Sequence, residues 1–203
     1  RGCSGENNRL PRTYHAGETG DPGFVIDWLR CRFPRVPLCA VGFSLGGNML
    51  LKLLGDQAGS STLSGAAAVS VPFDLAGCAR RLEKGTSRLY QYWLLGAMKK
   101  TARRKAMQYP ERLDIKRLLE ASTFYTFDEL GTAPIHGFKG ADDYYRKNSC
   151  RQYLSQITTP TLILQSHDDP FMATDQIPEA QELGPGVQLE LADRGGHIGF
   201  VAG

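Results

Sequence analysis

Pro37-Leu-Cys-Ala-Val-Gly-Phe-Ser-Leu-Gly-Gly-Asn-Met-Leu-Leu-Lys-Leu-Leu54 decides how this 203-residue chain is read. Its first third, through Gly42, is a short apolar run that suits a buried strand. Its last third, from Asn48, repeats leucines and a methionine in the manner of a buried helix. Between them Gly42-Phe43-Ser44-Leu45-Gly46 forms a G-x-S-x-G turn. That pattern recurs by chance, but a strand before it and a helix after it are the setting of a nucleophile elbow. Glycines let strand and helix approach closely while Ser44 is held on a strained turn near the positive helix N-terminus. The Leu45 N–H would then face the place where an oxyanion forms.

Working outward, three more apolar runs read as strands: 65–71, 160–165 and 187–191. The last alternates apolar and polar residues, as an outer strand does. Asp21-Pro22 reads as a helix start with Asp21 as N-cap, and Phe24, Val25, Trp28, Leu29 and Phe33 follow at helical spacing. Strands alternating with helices imply an α/β fold with a mostly parallel, doubly wound sheet. Residues 73–159 break this rhythm with helical patterns at 89–107 and 111–121 and no clear strand. They read as a cap or lid inserted into a single domain, over the C-terminal edge of the sheet.

A serine hydroxyl needs a base. The chain offers His15, His136, His167 and His197. After a nucleophile elbow the order runs serine, acid, histidine, with the base just past the last strand. His197, in Arg194-Gly195-Gly196-His197, meets that condition. His15 precedes the serine, His136 lies in the insertion, and His167 reads as a loop residue near the acid. The acid belongs after the preceding strand, where Gln165-Ser166-His167-Asp168-Asp169-Pro170 supplies two adjacent carboxylates. Ser166 in the small position favours Asp169, with Asp168 as the neighbour that caps the turn. A buried Asp accepting from the imidazole N–H fixes the tautomer and supports the imidazolium.

The remaining composition narrows the classes. An apolar fraction of 41% suits a globular domain. No stretch approaches the roughly 20 apolar residues that span a bilayer. A net charge of +3 gives no general attraction to nucleic acid. Five scattered cysteines (Cys3, Cys31, Cys39, Cys78 and Cys150) include no C-x-x-C pair, so free thiols and a cytoplasmic, reducing setting are expected, with Cys39 packed as a small hydrophobe. Asp142-Asp143 beside Tyr144-Tyr145 lacks further groups at ligand spacing and reads as a connector; no metal and no cofactor is expected. Residues 75–120 hold twelve Lys/Arg against four Asp/Glu, densest at Lys99-Lys100 and Arg103-Arg104-Lys105, just after Trp93, Leu94, Leu95 and Met98. A solvated lid helix is one reading of that run, and peripheral contact with an anionic membrane is the other. A chain without an initiating methionine that stops six residues after His197 reads as a piece of a longer protein.

Arg1-Gly-Cys-Ser-Gly-Glu6, Tyr14-His15, Gly17-Glu18-Thr19, Gly42-Phe-Ser-Leu-Gly-Gly-Asn48, Asp168-Asp-Pro-Phe171 and Gly195-Gly-His-Ile-Gly-Phe200 together resemble the YheT-like α/β-hydrolases. That family joins bacterial esterase-type proteins with eukaryotic lipases of the α/β-hydrolase-domain type. The resemblance implies an α/β-hydrolase fold, hydrolysis of carboxylic or lipid esters, no cofactor, and a triad of Ser44, Asp169 and His197. Members also carry earlier strands and a His-Gly loop that donates a second oxyanion N–H, and this sequence contains neither. A hydrolase-fold binding protein without turnover, or an enzyme acting on amides or thioesters, are the competing readings.

Overall fold

The computed structural model describes Glu6 and residues 8–200; residues 1–5, 7 and 201–203 lie outside the described residues, and with them Cys3 and the reading of the 1–6 loop as a neighbour of the pocket. Two compact units are present. One comprises Ala16–Asp74 and the chain from Asn148 onward; the other comprises the residues up to His15 and Leu75–Lys147.

The first unit is built on a four-stranded sheet among the described residues, β1 (Cys39–Phe43), β2 (Gly65–Val69), β3 (Thr161–Ser166) and β4 (Val187–Ala192), in that spatial order. Every pairing is parallel, with Phe43 opposite Val69, Val69 opposite Leu164, and Ser166 opposite Ala192. All four strands therefore end at the same edge, and the loops leaving that edge are neighbours. Helix α1 (Gly20–Arg32) precedes β1 and α2 (Leu45–Gln57) follows it. Between β3 and β4 the chain makes 3-10 turns at Thr174–Gln176 and Ala180–Glu182.

One face of this sheet is buried and the other open. Ala68, Ile163 and Gln165 point into the core, which they share with Leu51 and Leu54 of α2 and with Val71, Phe73, Leu154 and Ile157. Each of these fully buried leucines contributes about 1.5–3 kcal/mol relative to an exposed one. The alternate residues, Val41 (61% exposed), Phe43 and Leu162, face outward. Cys39 shares that outward row and is exposed, which corrects its reading as a packed hydrophobe; a side chain two residues from Val41 must share its face. Helix α1 begins two residues earlier than expected. Thr19 is the N-cap, and the Gly23 N–H bonds to the Thr19 carbonyl at 3.1 Å. Asp21 and Pro22 thus occupy the first turn, where Pro22 loses no bond. The helix buries Ile26 and approaches Leu53 at Gly23, so Phe24, Val25, Trp28 and Phe33 are turned to the surface rather than inward.

Asn48 ties this unit together. Its fully buried amide donates to the carbonyls of Ala16 (2.8 Å) and Asn148 (2.9 Å), and its Oδ1 accepts from the Cys150 N–H (2.9 Å). One side chain in the first turn of α2 thereby satisfies backbone groups of two distant segments.

The second unit is helical: α3 (Leu75–Leu82), α4 (Ser87–Gln108), α5 (Ile115–Glu120), α6 (Phe124–Phe127), α7 (Ala133–His136) and most of α8 (Ala141–Asn148). Its core joins Leu95, Ala102, Leu113, Leu118, Ala121 and Phe127, with Met98 packed against them. Of the four apolar residues expected at the start of the basic run, Leu95 and Met98 pack in this core, while Trp93 is 82% exposed. A π-turn at Asp128–Thr132 joins α6 to α7, closed by the Ala133 N–H on the Asp128 carbonyl five residues back. Pro134, next in line, has no N–H to offer an ordinary helical turn. The turn buries the Asp128 carboxylate, which accepts from Thr132 Oγ1 (2.5 Å) and Tyr145 Oη (2.7 Å). Burial pushes its pKa up from 3.8 to about 6, against the smaller downward pull of those two hydroxyls. The carboxylate at Asp143 has different surroundings: Arg146, Lys147 and the Lys139 N–H occupy its oxygens and lower its pKa, with Lys147 the largest influence.

Two stability predictions follow from these buried polar groups. Asn48→Ala leaves the Ala16, Asn148 and Cys150 backbone groups unpaired, and chemical denaturation should show a loss of about 2–4 kcal/mol. Asp128 binds its proton more tightly folded than unfolded, so its contribution is complete below about pH 4 and is lost as pH rises through about 6. Across that interval the unfolding free energy of Asp128→Asn should gain on wild type by about 3 kcal/mol. Parallel curves for the two proteins between pH 4 and 6 would remove Asp128 as the source of that pH dependence.

Candidate active site

Ser44 sits between β1 and α2, at φ 49° and ψ −120°. A non-glycine residue in that region is strained by about 1–3 kcal/mol and must be held by its surroundings. Its N–H donates to the Val69 carbonyl at 2.8 Å, continuing the β1–β2 ladder, and its own carbonyl accepts from the Asn48 N–H at 3.2 Å, opening α2. Strand and helix nearly touch at this corner. A Cβ on Gly42 would lie 2.5 Å from the Gly46 carbonyl oxygen, so no larger residue fits. At Gly46 a Cβ would meet nothing within 4 Å; the second close approach is instead at Gly47, against Val71 and the Gly42 carbonyl.

The structure brings three side chains together. His197 Nε2 lies 2.8 Å from Ser44 Oγ. His197 Nδ1 lies 2.9 and 3.1 Å from the two oxygens of Asp169. Asp169 is buried and His197 half-buried. A carboxylate only accepts, so Nδ1 is the donor of that pair. Nε2 then presents its lone pair to the serine O–H. Leu45, next in the chain, is the first residue of α2, and first-turn N–H groups have no partner within their own helix.

Side chains that the sequence reading passed over hold this arrangement. Gln165, fully buried at the end of β3, accepts from the Val71 N–H (2.9 Å) and donates to Asp169 Oδ2 (3.2 Å). The Phe171 N–H donates to Asp169 Oδ1 at 2.8 Å, and the Phe171 ring stacks on the His197 ring with centroids 4.0 Å apart and planes 16° from parallel. A signal for Gln165 was present in the period-two alternation of β3, which turns it to the same face as Ile163. Asp168 has its own task. One of its oxygens accepts from the N–H groups of both Gly195 and Gly196 at 2.8 Å, which lowers its pKa, with Gly196 the larger influence. Ser166 Oγ donates to the Gly196 carbonyl at 2.6 Å. Gly196 adopts φ 58°, a conformation that suits glycine. The neighbouring carboxylates thus divide the work: Asp169 meets the imidazole, and Asp168 fastens the loop that carries it.

The other three histidines have surroundings of their own. The His167 side chain is exposed, and its N–H extends the β3–β4 ladder to the Ala192 carbonyl. His15 and His136 belong to the helical unit, where their rings meet edge-on at 4.5 Å and His15 also packs against Phe138 and Tyr144.

Comparison with known proteins identifies the family. A family model described as the alpha/beta hydrolase fold matches residues 4–203. The chain is 45% identical to "Putative esterase YheT" of Escherichia coli (strain K12), covering all of this chain and 60% of that protein. It is 34% identical to the Bos taurus phospholipase ABHD3 over all of this chain and 50% of that protein. A monoacylglycerol lipase of Saccharomyces cerevisiae is 30% identical over 98% of this chain and 46% of its own length. The chain thus spans about half to three-fifths of the curated relatives it matches. Among solved structures, a Pyrococcus furiosus esterase superposes with a TM-score of 0.52 at 14% identity, covering 98% of this chain and 60% of that one. With its parallel sheet, strand-elbow-helix corner and a family match over nearly its whole length, the chain belongs to the α/β-hydrolase fold family.

Proposed function

We propose that the protein is a serine hydrolase that cleaves carboxylic esters through an acyl-enzyme on Ser44. One observation carries this reading: an unbroken relay of hydrogen bonds from Ser44 Oγ through His197 to Asp169, at 2.8 and 2.9 Å. Distances of this size are what a base needs to take a proton from its nucleophile.

In the acylation half, Ser44 Oγ forms a bond to the ester carbonyl carbon as its proton passes to His197 Nε2. The carbonyl oxygen becomes an oxyanion, and the Leu45 N–H at the positive end of α2 is the donor this chain offers it. Asp169 steadies the imidazolium through Nδ1–H. The carbon–oxygen bond to the alcohol then breaks, and His197 returns its proton to the leaving alkoxide. In the second half, water gives a proton to His197 and its oxygen to the acyl carbon, and His197 passes that proton to Ser44 Oγ as the serine leaves. The bond to Ser44 breaks and the acid departs. The Phe171 ring holds the imidazole plane between these steps, while Gln165 and the Phe171 N–H hold the carboxylate. Relatives named esterase, phospholipase and monoacylglycerol lipase support an acyl ester as the substrate.

The test uses the full-length protein with a fluorophosphonate probe and a panel of p-nitrophenyl and glycerolipid esters. Wild type should label and turn over at least one ester; Ser44→Ala should lose the label and at least about ten-thousandfold in kcat. Persistent labelling of the Ala variant would exclude Ser44 as the nucleophile. Replacing the loop fastener, Asp168→Ala, should lower kcat by up to about a hundredfold with little change in KM, since the imidazole loses alignment rather than chemistry. A change confined to KM would mean that Asp168 acts on the substrate instead.

A further inference from the structure

We propose that the outer face of α4 is a docking surface for anionic phospholipid membranes. Helix α4 has 22 residues, among them Arg88, Lys99, Lys100, Arg103, Arg104 and Lys105, and no carboxylate at all. Its inner face is accounted for. Gln91, Leu95, Ala102 and Ala106 are buried, and the buried Lys105 ammonium donates to the carbonyls of Asn8 and Leu10. The opposite face is unusual in two ways that reinforce each other.

At about 100° per residue, Leu89, Tyr92, Trp93, Lys100, Arg103, Arg104 and Met107 all fall within about 60° of one line along the helix. Leu89, Tyr92, Trp93 and Met107 are 70–82% exposed on that line. An aqueous surface gives no reason for four large apolar side chains to stand out of a helix whose core side is already filled. Lys100, Arg103 and Arg104 continue the same line, are exposed, and make no ion pair among the described residues. The face is thus apolar and aromatic toward its N-terminal half and cationic toward its C-terminal half.

That combination selects the partner. Trp and Tyr favour the headgroup level of a bilayer, where the ring is dehydrated and its polar tip stays wet. Lys and Arg on the same line meet lipid phosphates and carboxylates. No helix among the described residues is long and apolar enough to cross a membrane, so the contact is along the surface. A purely acidic protein would leave Leu89, Tyr92, Trp93 and Met107 without a counterpart. A second copy of the chain would set the three cations of one face against those of the other.

Binding is measured on full-length Ser44→Ala protein, so that turnover does not alter the lipid and the outcome is separate from the acyl-enzyme proposal. The protein is sedimented with phosphatidylcholine vesicles with or without phosphatidylserine. Partition should be strong only with phosphatidylserine and should weaken steeply toward about 0.5 M salt. K100Q/R103Q/R104Q should lower it on the order of a hundredfold. L89S/Y92S/W93S should lower it about tenfold or more, and in the parent protein Trp93 fluorescence, assigned by Trp93→Phe, should shift to the blue on binding. Circular dichroism checks that these exposed substitutions leave the helices intact. Equal partition onto both vesicle types, or partition indifferent to both sets of substitutions, overturns the proposal. A wild-type dimer that L89S/Y92S/W93S dissociates also overturns it, because the face would then belong to a second copy.

Discussion

A serine can point its hydroxyl out of a sheet only if the chain reverses direction within one residue, and Ser44 does so at φ 49°. Left alone, that conformation relaxes. It persists because both of its neighbours are fixed: β1 is laddered to β2 up to the Ser44 N–H, and α2 starts at the Ser44 carbonyl. The absence of a side chain at Gly42 lets the two elements come close enough to pin the turn from either side. Asn48, one turn into α2, then fixes the helix to the segments at Ala16 and Asn148. The strain at one residue is therefore sustained by the packing of the whole sheet unit, where buried leucines supply far more stability than the turn costs.

Parallel pairing is what turns this local corner into a site. Because β1, β2, β3 and β4 run the same way, residues 153 positions apart in sequence leave the same edge and meet at 2.8 Å. The strand ends are coupled to one another as well as adjacent. Gln165 at the end of β3 takes the first free N–H beyond β2 with one end of its amide and the Asp169 carboxylate with the other. Asp168 and Ser166 reach across to the loop beyond β4. Ser44 and the loop that carries His197 are each held by a residue from a neighbouring strand end, and Gln165 joins Asp169 to the segment after β2, so the geometry is a property of the edge and not of any one loop.

Much of this was legible in the residues themselves. The apolar runs placed all four strands, since short runs of Ala, Val, Leu and Ile bounded by Gly and Pro have few other uses. Ser44, Asp169 and His197 were marked by the order of their loops after those strands. What escaped was information that lies between segments. Gln165 reads as an ordinary strand residue until β2 is placed beside it. Asp168 reads as a turn cap until the Gly195–Gly196 N–H groups are brought to it from 27 residues away. The exposed face of β1 was misread for a related reason: spacing shows that apolar residues share a face, but only neighbouring elements decide which face is covered. The π-turn at Asp128 had a local cause in Pro134, but the pairing of its carboxylate with Tyr145 lies 17 residues away in sequence.

Two of the buried carboxylates, Asp128 and Asp169, show how surroundings separate a structural use from the proposed chemical one. Among the described residues, Asp128 is met by two hydroxyls, from Thr132 and Tyr145. Hydroxyl dipoles stabilise a charge less than a cation does, so desolvation prevails and its pKa rises to about 6. Nothing beside it can become positive at the right moment. Asp169 is met by the Phe171 N–H, the Gln165 amide and an imidazole. The imidazole is the decisive partner, because it gains a positive charge when it takes a proton, and a fixed carboxylate at 2.9 Å then gains attraction without moving. A buried acid suited to catalysis is thus distinguished less by its burial than by facing a group whose charge changes during the reaction.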